Sequence, residues 1–320
     1  MKAVLVVGAG RSGTTLMDLV LGNREDAVST GELRFIWRRG VIEGQLCGCG
    51  TPLNRCRFWS RVFEECGFAP TEAKARSRQI LLDRVERFRH IPLRWLSRSF
   101  RSLPIGSDVI EQEWRFLEAI SRVSKCDVVI DSSKYPGRAL ALSEGAAHSR
   151  DLYIIHIVRD PRAVAHAWTT TKLRPEIVGG PSPMPTYNVA FSALTWAAIN
   201  AAAETLRYAV GKRRYLRLRY EDFAKRPDIM IETILRFFEL PASPAGGSPD
   251  AQDPAAIHHT VSGNPIRFAP VSSVSPDEKW RVNMSGYDRW IVAFLSFPLL
   301  LKYGYLRRLA DQEQAASSRP

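Results

Sequence analysis

Val4-Leu5-Val6-Val7-Gly8-Ala9-Gly10-Arg11-Ser12-Gly13-Thr14-Thr15-Leu16 is the stretch that decides the fold. Four apolar residues, three of them β-branched, predict a short buried strand. Glycines then turn the chain, and Thr14 and Thr15 open a helix over 14–22. Such a strand, turn and helix N-terminus gather unpaired backbone N–H groups around one point, where the helix dipole also favours negative charge. The stretch reads as a phosphate cradle. It half-fits two motifs. Gly8, Gly10 and Gly13 satisfy G-x-G-x-x-G, which wants an acidic residue about twenty positions on; Glu32 stands near there, after a thin strand at 26–30. Gly8, Gly13 and Thr15 satisfy the G-x-x-x-x-G-K-[ST] loop except that Thr14 replaces the lysine, while Arg11 puts a cation inside the loop.

Three more apolar runs end in polar residues. Residues 126–130 lead into Asp131-Ser132-Ser133-Lys134, 152–158 into Arg159-Asp160-Pro161-Arg162, and 215–218 into Arg219-Tyr220-Glu221-Asp222. Helical patterns occupy 136–147, 161–171, 188–210 and 227–239. The alternation predicts an α/β fold, a three-layer parallel sheet with helices on both faces, whose ligands collect at the carboxyl ends of the strands. A single domain is expected over 1–310, with a disordered tail at 311–320.

Around that frame the chain is less regular. Residues 40–60 are rich in Gly, Cys and Pro, and 72–101 form a basic helical segment with Leu81, Val85 and Phe88 towards the core, broken or kinked at Pro92. That segment reads as a solvated helix over the core, and leaves peripheral contact with a membrane or other anionic surface open. Residues 175–187, with four prolines and two glycines, predict a mobile cover, and 241–256 a spacer. The apolar run 290–301 is too short to span a bilayer and is kinked by Pro298.

The net charge of +12 points to anionic partners. No helix-turn-helix, zinc-finger or aromatic single-strand pattern accompanies it, which argues against nucleic acid. The apolar start, residues 3–7, is no secretory signal, and an odd count of five cysteines fits a reducing, cytoplasmic compartment. Cys47, Cys49, Cys56 and Cys66 are spaced C-x-C-x6-C-x9-C, unlike the paired C-x2-C turns of zinc knuckles, so a packing role and no metal are expected.

The loop Gly10 to Leu16, the Arg159-Asp160-Pro161-Arg162 strand end and Asp131-Ser132-Ser133-Lys134 together resemble the sulfotransferases that use 3′-phosphoadenosine 5′-phosphosulfate, PAPS. Gly31-Glu32 is similar to the glycine-glutamate after the loop in the tyrosylprotein branch. Tyr220-Glu221-Asp222 and Ser262-Gly263-Asn264-Pro265-Ile266-Arg267 extend the resemblance over about residues 1–40 and 125–285. It implies a P-loop NTPase-like sulfotransferase fold, PAPS as donor, adenosine 3′,5′-bisphosphate (PAP) as product, and no metal requirement. The acceptor would be a hydroxyl of a carbohydrate, glycolipid or small metabolite, or of a tyrosylprotein-like substrate, in a pocket shaped by residues 40–125 and 172–187.

By that resemblance Gly10, Arg11, Ser12, Gly13, Thr14 and Thr15 hold the 5′-phosphate, Arg159 the 3′-phosphate, and Tyr220, Ser262, Asn264 and Arg267 face the nucleotide. Glu32 would be the base, its carboxyl raised by desolvation and countered by Arg11, while Arg11 and Lys134 would steady the developing charge. His258 and His259 stand near enough in sequence to Ser262 to assist. The family's serine eight residues after the arginine is Ala167 here, with Thr169, Thr170, Thr171 or Lys172 as replacements. Two other readings stay open: a P-loop kinase or triphosphatase with Val128–Asp131 as its Mg²⁺-holding strand end, and a nucleotide-binding regulatory protein without chemistry.

Overall fold

Apolar runs with no polar alternation must be covered on both sides, and the chain does so around one sheet. The computed structural model describes residues 1–99, 106–145, 150–177, 179–180, 182–239, 258–268 and 276–306. The strands are β1 (Lys2–Val7), β2 (Ala27–Ser29), β3 (Val128–Lys134), β4 (Asp151–Val158), β5 (Leu173–Arg174), β6 (Ser182–Pro183) and β7 (Tyr215–Arg219). The helices are α1 (Thr14–Gly22), α2 (Arg57–Glu65), α3 (Glu72–Glu86), α4 (Ile91–Ser99), α5 (Ser107–Ser124) and α6 (Pro136–Glu144). They continue with α7 (Pro161–Thr169), α8 (Val189–Val210), α9 (Tyr220–Lys225), α10 (Pro227–Phe237), α11 (Trp280–Asn283) and α12 (Gly286–Lys302).

Five strands form a parallel sheet in the order β2-β3-β1-β4-β7, while β5 and β6 make a small antiparallel ribbon. The pleat of β1 divides the core. Ala3, Leu5 and Val7 face a cluster that includes Trp114, Leu117 and Leu140 of α5 and α6. Val4 and Val6 face the opposite cluster, with Met17 of α1, Phe223 of α9 and Ile234 of α10. The thin strand expected at 26–30 is β2, an edge strand paired to β3.

The basic segment differs from its expected phase. Leu82 and Val85 are buried, whereas Leu81 and Phe88 point outward. The cause is electrostatic: Arg78 and Arg94 turn inward to pair with Glu113, at 2.7 Å, and with Glu144. Ion pairs therefore occupy part of the face that hydrophobic spacing would assign to apolar residues. The break expected at Pro92 falls earlier: α3 stops at Glu86, Arg87 is extended, and the proline sits in the first turn of α4, where its missing N–H costs no hydrogen bond. Pro298, by contrast, lies within a continuous α12. The spacer at 241–256, the tail at 311–320 and the end of the basic segment at 100–101 lie outside the described residues.

A buried ionic knot ties the segment between β2 and β3 to the sheet. Arg138 of α6 donates to Asp131 of β3 at 2.7 Å, Glu86 of α3 at 2.6 Å and Glu113 of α5 at 2.7 Å. Cys66, grouped by sequence with the other cysteines, ends α2 with its thiol donating to the Phe63 carbonyl at 3.4 Å. The thiols of Cys47, Cys49 and Cys56 instead meet His259.

Candidate functional site: two cavities that meet at Lys134

The loop after β1 is shaped by glycine. Gly13 precedes α1 at φ +86°, and a Cβ there would fall 2.3 Å from the Tyr220 ring. A Cβ at Gly10 would fall 2.8 Å from the Trp168 ring. Aromatic walls thus press the loop backbone into a cavity of about 240 Å³ at the carboxyl ends of the strands. Gly10, Gly13, Thr14 and Thr15 line it, and so do the cations Arg11, Lys134, Arg159 and Lys172, against a single lining carboxylate among the described residues, Asp277.

These cations crowd one another. Arg11, at φ +68°, lies over Trp168 with its guanidinium carbon 4.7 Å from the ring centroid. Burial lowers its pKa, the Glu32 charge opposes this, and Arg159 lowers it further. Burial also lowers the Lys172 ammonium, with Arg11 next in effect. Arg11 Nε and Nη1, Arg159 Nε and the buried Ser12 hydroxyl have no hydrogen-bond partner among the described residues. Desolvated, mutually repelling cations beside a helix N-terminus give this cavity the electrostatics that favour an anion.

Arg159 also holds the site together: it donates to the Arg11 carbonyl at 2.9 Å and to Asp277 Oδ2 at 3.2 Å, and lies 4.6 Å from the centroid of Tyr220. Ala167 lines the cavity where the resemblance wanted a serine. Of the replacements named from sequence, Lys172 lines it; the Thr169 and Thr170 hydroxyls turn back to the His166 carbonyl at 2.8 and 3.2 Å.

Glu32 reaches the site by backbone pairing. Gly31, at φ +68°, bridges to Val261, and Glu32 N–H donates to the Val261 carbonyl at 2.7 Å. A register shift in the β1–β3 pairing leaves Lys134 at φ +73°, and its ammonium forms an ion pair with Glu32 Oε1. Ser262 donates to Glu32 Oε2 at 3.1 Å, and Arg39 approaches the same oxygen at 3.4 Å. Burial by itself raises the Glu32 carboxyl; Lys134, then Arg39, then the hydrogen bonds from Lys134 and Ser262 outweigh it and hold the group below the usual value. The sequence expected a raised carboxyl countered by Arg11, and the structure gives the opposite sign, with Lys134 and Arg39 responsible.

Glu32 lines a second, larger cavity of about 650 Å³, mostly apolar, with Phe35, Tyr187, Phe191 and Trp196 among its walls. The two cavities share Gly10, Lys134, Trp168 and Met184 among the described residues. Residues 172–187 contribute Arg174, Glu176, Pro185 and Tyr187 to the larger one; the 40–125 stretch reaches it through Phe88. Another wall is α8, from Phe191 to Ile199. Glu176 is 1% exposed there, with neither carboxylate oxygen hydrogen-bonded among the described residues.

Two residues expected at the nucleotide stand elsewhere. Ser262 faces Glu32 and Arg39. Arg267 is buried, donating to the carbonyls of Thr260 at 2.7 Å and Leu46 at 2.9 Å, and does not line the loop cavity. Both sit on a segment whose position is set by residues more than 200 positions away, which motif order does not reveal. Asn264 does line the cavity, its N–H donating to Thr15 Oγ1 at 3.3 Å. Arg39, Trp168 and Asp277 were missed: none belongs to a motif, and their roles come from packing against Glu32, Arg11 and Arg159. Asp131 is buried and engaged by Arg138 and Ser133, which leaves the kinase reading without its strand-end carboxylate.

A sequence profile of the sulfotransferase family matches residues 3–244, and the chain belongs to that family. No curated protein matches the sequence. Similar solved structures include the sulfotransferase domain of the Synechococcus PCC 7002 olefin synthase, 17% identical over 92% of this chain and 93% of that one, with a TM-score of 0.47. The sulfotransferase domain from the curacin biosynthetic pathway is 17% identical over 91% and 96%, with a TM-score of 0.49. Retinol dehydratase, in complex with androsterone and inactive cofactor PAP, is 15% identical over 94% and 81%, with a TM-score of 0.40.

Proposed function

We propose that the chain transfers a sulfuryl group from PAPS to the hydroxyl of an acceptor held in the larger cavity, with Glu32 as base and no metal in the chemistry. One observation carries this reading: an anion-seeking cavity and an apolar one meet at the Glu32–Lys134 pair. PAPS supplies a labile phosphosulfate anhydride and a separate 3′-phosphate, and the guanidinium nitrogens of Arg11 and Arg159 that lack partners among the described residues suit both anionic ends. Backbone N–H groups around Gly13–Thr15 and the Arg11 side chain hold charge near the loop. Glu32 takes the acceptor's proton at a carboxylate oxygen, oriented by Ser262 and Arg39. Lys134 lines both cavities and balances charge on either side of the reacting centre. The apolar walls favour an acceptor with a hydrophobic body, such as a glycolipid or small metabolite. Incubation with PAPS and an acceptor panel, reading released adenosine 3′,5′-bisphosphate, tests the activity. A thermal shift from ATP with Mg²⁺ and none from adenosine 3′,5′-bisphosphate would instead favour a kinase.

Arg159→Ala and Lys172→Ala should each weaken adenosine 3′,5′-bisphosphate by about 10- to 100-fold, the range of a hydrogen bond to a charged group. Adenosine 5′-phosphate is the control, since Arg159 also braces the loop through the Arg11 carbonyl. Equal losses for both ligands would show that neither residue reads the 3′-phosphate.

The depressed Glu32 carboxyl sets a pH expectation. Because its folded value lies below the ordinary 4.5, the carboxylate's contribution to stability is present above that value and is lost as pH falls through the folded one. The acid-side fall in kcat/KM should accordingly lie below pH 4.5. Lys134→Ala removes the strongest opposing charge and lets burial dominate, so the acid limb moves upward. A limb unmoved in that variant would assign it to another group.

A further inference from the structure

The cysteines that matched no zinc pattern in sequence are completed by a histidine from the far end of the chain. Cys47 and Cys49 bracket a tight turn closed by the Cys47 N–H to Thr51 at 2.8 Å and the Gly50 N–H to Cys47 at 2.8 Å, with Gly50 at φ +82°. Cys56 stands just before α2. Gly48 N–H donates to the Thr260 carbonyl at 2.9 Å, and a Cβ at Gly48 would lie 2.4 Å from the His258 carbonyl oxygen. The turn is moulded around residues 258–260. His259 lies flat on Phe58, with centroids 4.7 Å apart at an interplanar angle of 7°. That stacking aims Nδ1 at Cys56 Sγ, 3.3 Å away, and at Cys47 Sγ, 3.8 Å away.

The four ligand atoms lie within 4.8 Å of one another, and Cys49 Sγ is 3.7 Å from Cys56 Sγ. Tetrahedral zinc, with Zn–S of about 2.3 Å and Zn–N of about 2.0 Å, sets its ligands about 3.5–3.8 Å apart. Two of the three separations, 3.7 and 3.8 Å, fall at that spacing, the third is 3.3 Å, and a disulfide would need sulfurs about 2.05 Å apart. Three thiolates and an imidazole are the donor set of closed structural zinc sites, and the turn is held by backbone bonds before any ion arrives.

We propose that Cys47, Cys49, Cys56 and His259 bind a Zn²⁺ ion as a structural clamp between the 46–56 turn and residues 258–262. The ion does no chemistry on substrate. Each thiol that ligates loses its proton to solvent, so zinc uptake releases protons. The clamp reaches the site through Val261, which bridges to Gly31, and Ser262, which donates to Glu32. It is a positioning device for the carboxylate, and it stands whatever acceptor the larger cavity takes.

The test uses the full chain, refolded or exchanged with Co²⁺. Expected are about one metal per chain, tetrahedral d–d bands and a thiolate-to-cobalt charge-transfer band. Cys49→Ser should lower that band by about a third, the share of one thiolate among three. His259→Ala should keep thiolate absorption and shift the d–d bands, and Cys66→Ser should change neither. Should the cluster variants fail to fold, alkylation of the unaltered chain with and without Zn²⁺ decides, mapped by peptide mass spectrometry. Zinc should protect Cys47, Cys49 and Cys56 at least tenfold relative to Cys66 and Cys126. No retained metal, equal protection of all five cysteines, or a disulfide within the cluster would overturn the proposal.

Discussion

Glu32→Gln lowers turnover by about 10²- to 10⁴-fold, the usual contribution of a positioned base, and leaves adenosine 3′,5′-bisphosphate affinity unchanged. Glutamine keeps the shape of the side chain and still accepts from Ser262, so the Gly31 turn and the Val261 bridge persist. What it loses is the ability to take a proton. The loop cavity does not include Glu32, so nucleotide binding is the internal control. Single-turnover rates with saturating donor separate chemistry from product release. Wild-type rates in this variant would remove Glu32 as the base, and a matching loss of nucleotide affinity would make it a structural residue of the loop.

The largest stability effect is expected at Arg138. This side chain is fully buried and pairs with Asp131, Glu86 and Glu113, while Arg34 and Arg78 complete the cluster against Glu86, at 2.8 Å, and Glu113, at 2.7 Å. Arg138→Leu leaves three buried carboxylates facing two cations and should cost about 3–5 kcal/mol, measured by urea unfolding at neutral pH. Burial already raises Glu86, with Arg138 and Arg34 opposing; without Arg138 it rises further. The deficit of the variant should therefore narrow as pH falls, because protonated carboxyls no longer repel. Arg138→Lys keeps a charge but loses the fork that reaches three partners, and should fall between the two. A loss under about 1 kcal/mol would mean that the knot contributes specificity and little stability.

Much of this architecture is legible from local chemistry. The apolar runs before Asp131, Arg159 and Arg219 become parallel strands of one sheet, the first two on either side of β1, and the loop, the Arg159 strand end and Gly31-Glu32 converge as the motifs imply. What escaped has a common cause in long-range pairing. Arg78 and Arg94 are buried because carboxylates 35 and 50 residues away await them, which inverts part of the helical pattern that spacing predicts. Ser262 and Arg267 carry a family motif yet face Glu32 and the 46–56 turn, since backbone pairing of Val261 fixes their direction. His259 has no sequence neighbour that marks it as a partner of Cys56. The sign of the Glu32 shift depended on Lys134, which pairs with it across 102 positions, and then on Arg39, a residue in no motif.

Residues 191–199 of the α8 wall belong to a 22-residue helix packed against α6, α7, α12 and β4; none of them lines the loop cavity, and Trp196 donates to the Arg159 carbonyl at 3.0 Å. Exchanging the other cavity-facing side chains of that helix would reshape the larger cavity without altering a residue that lines the loop cavity.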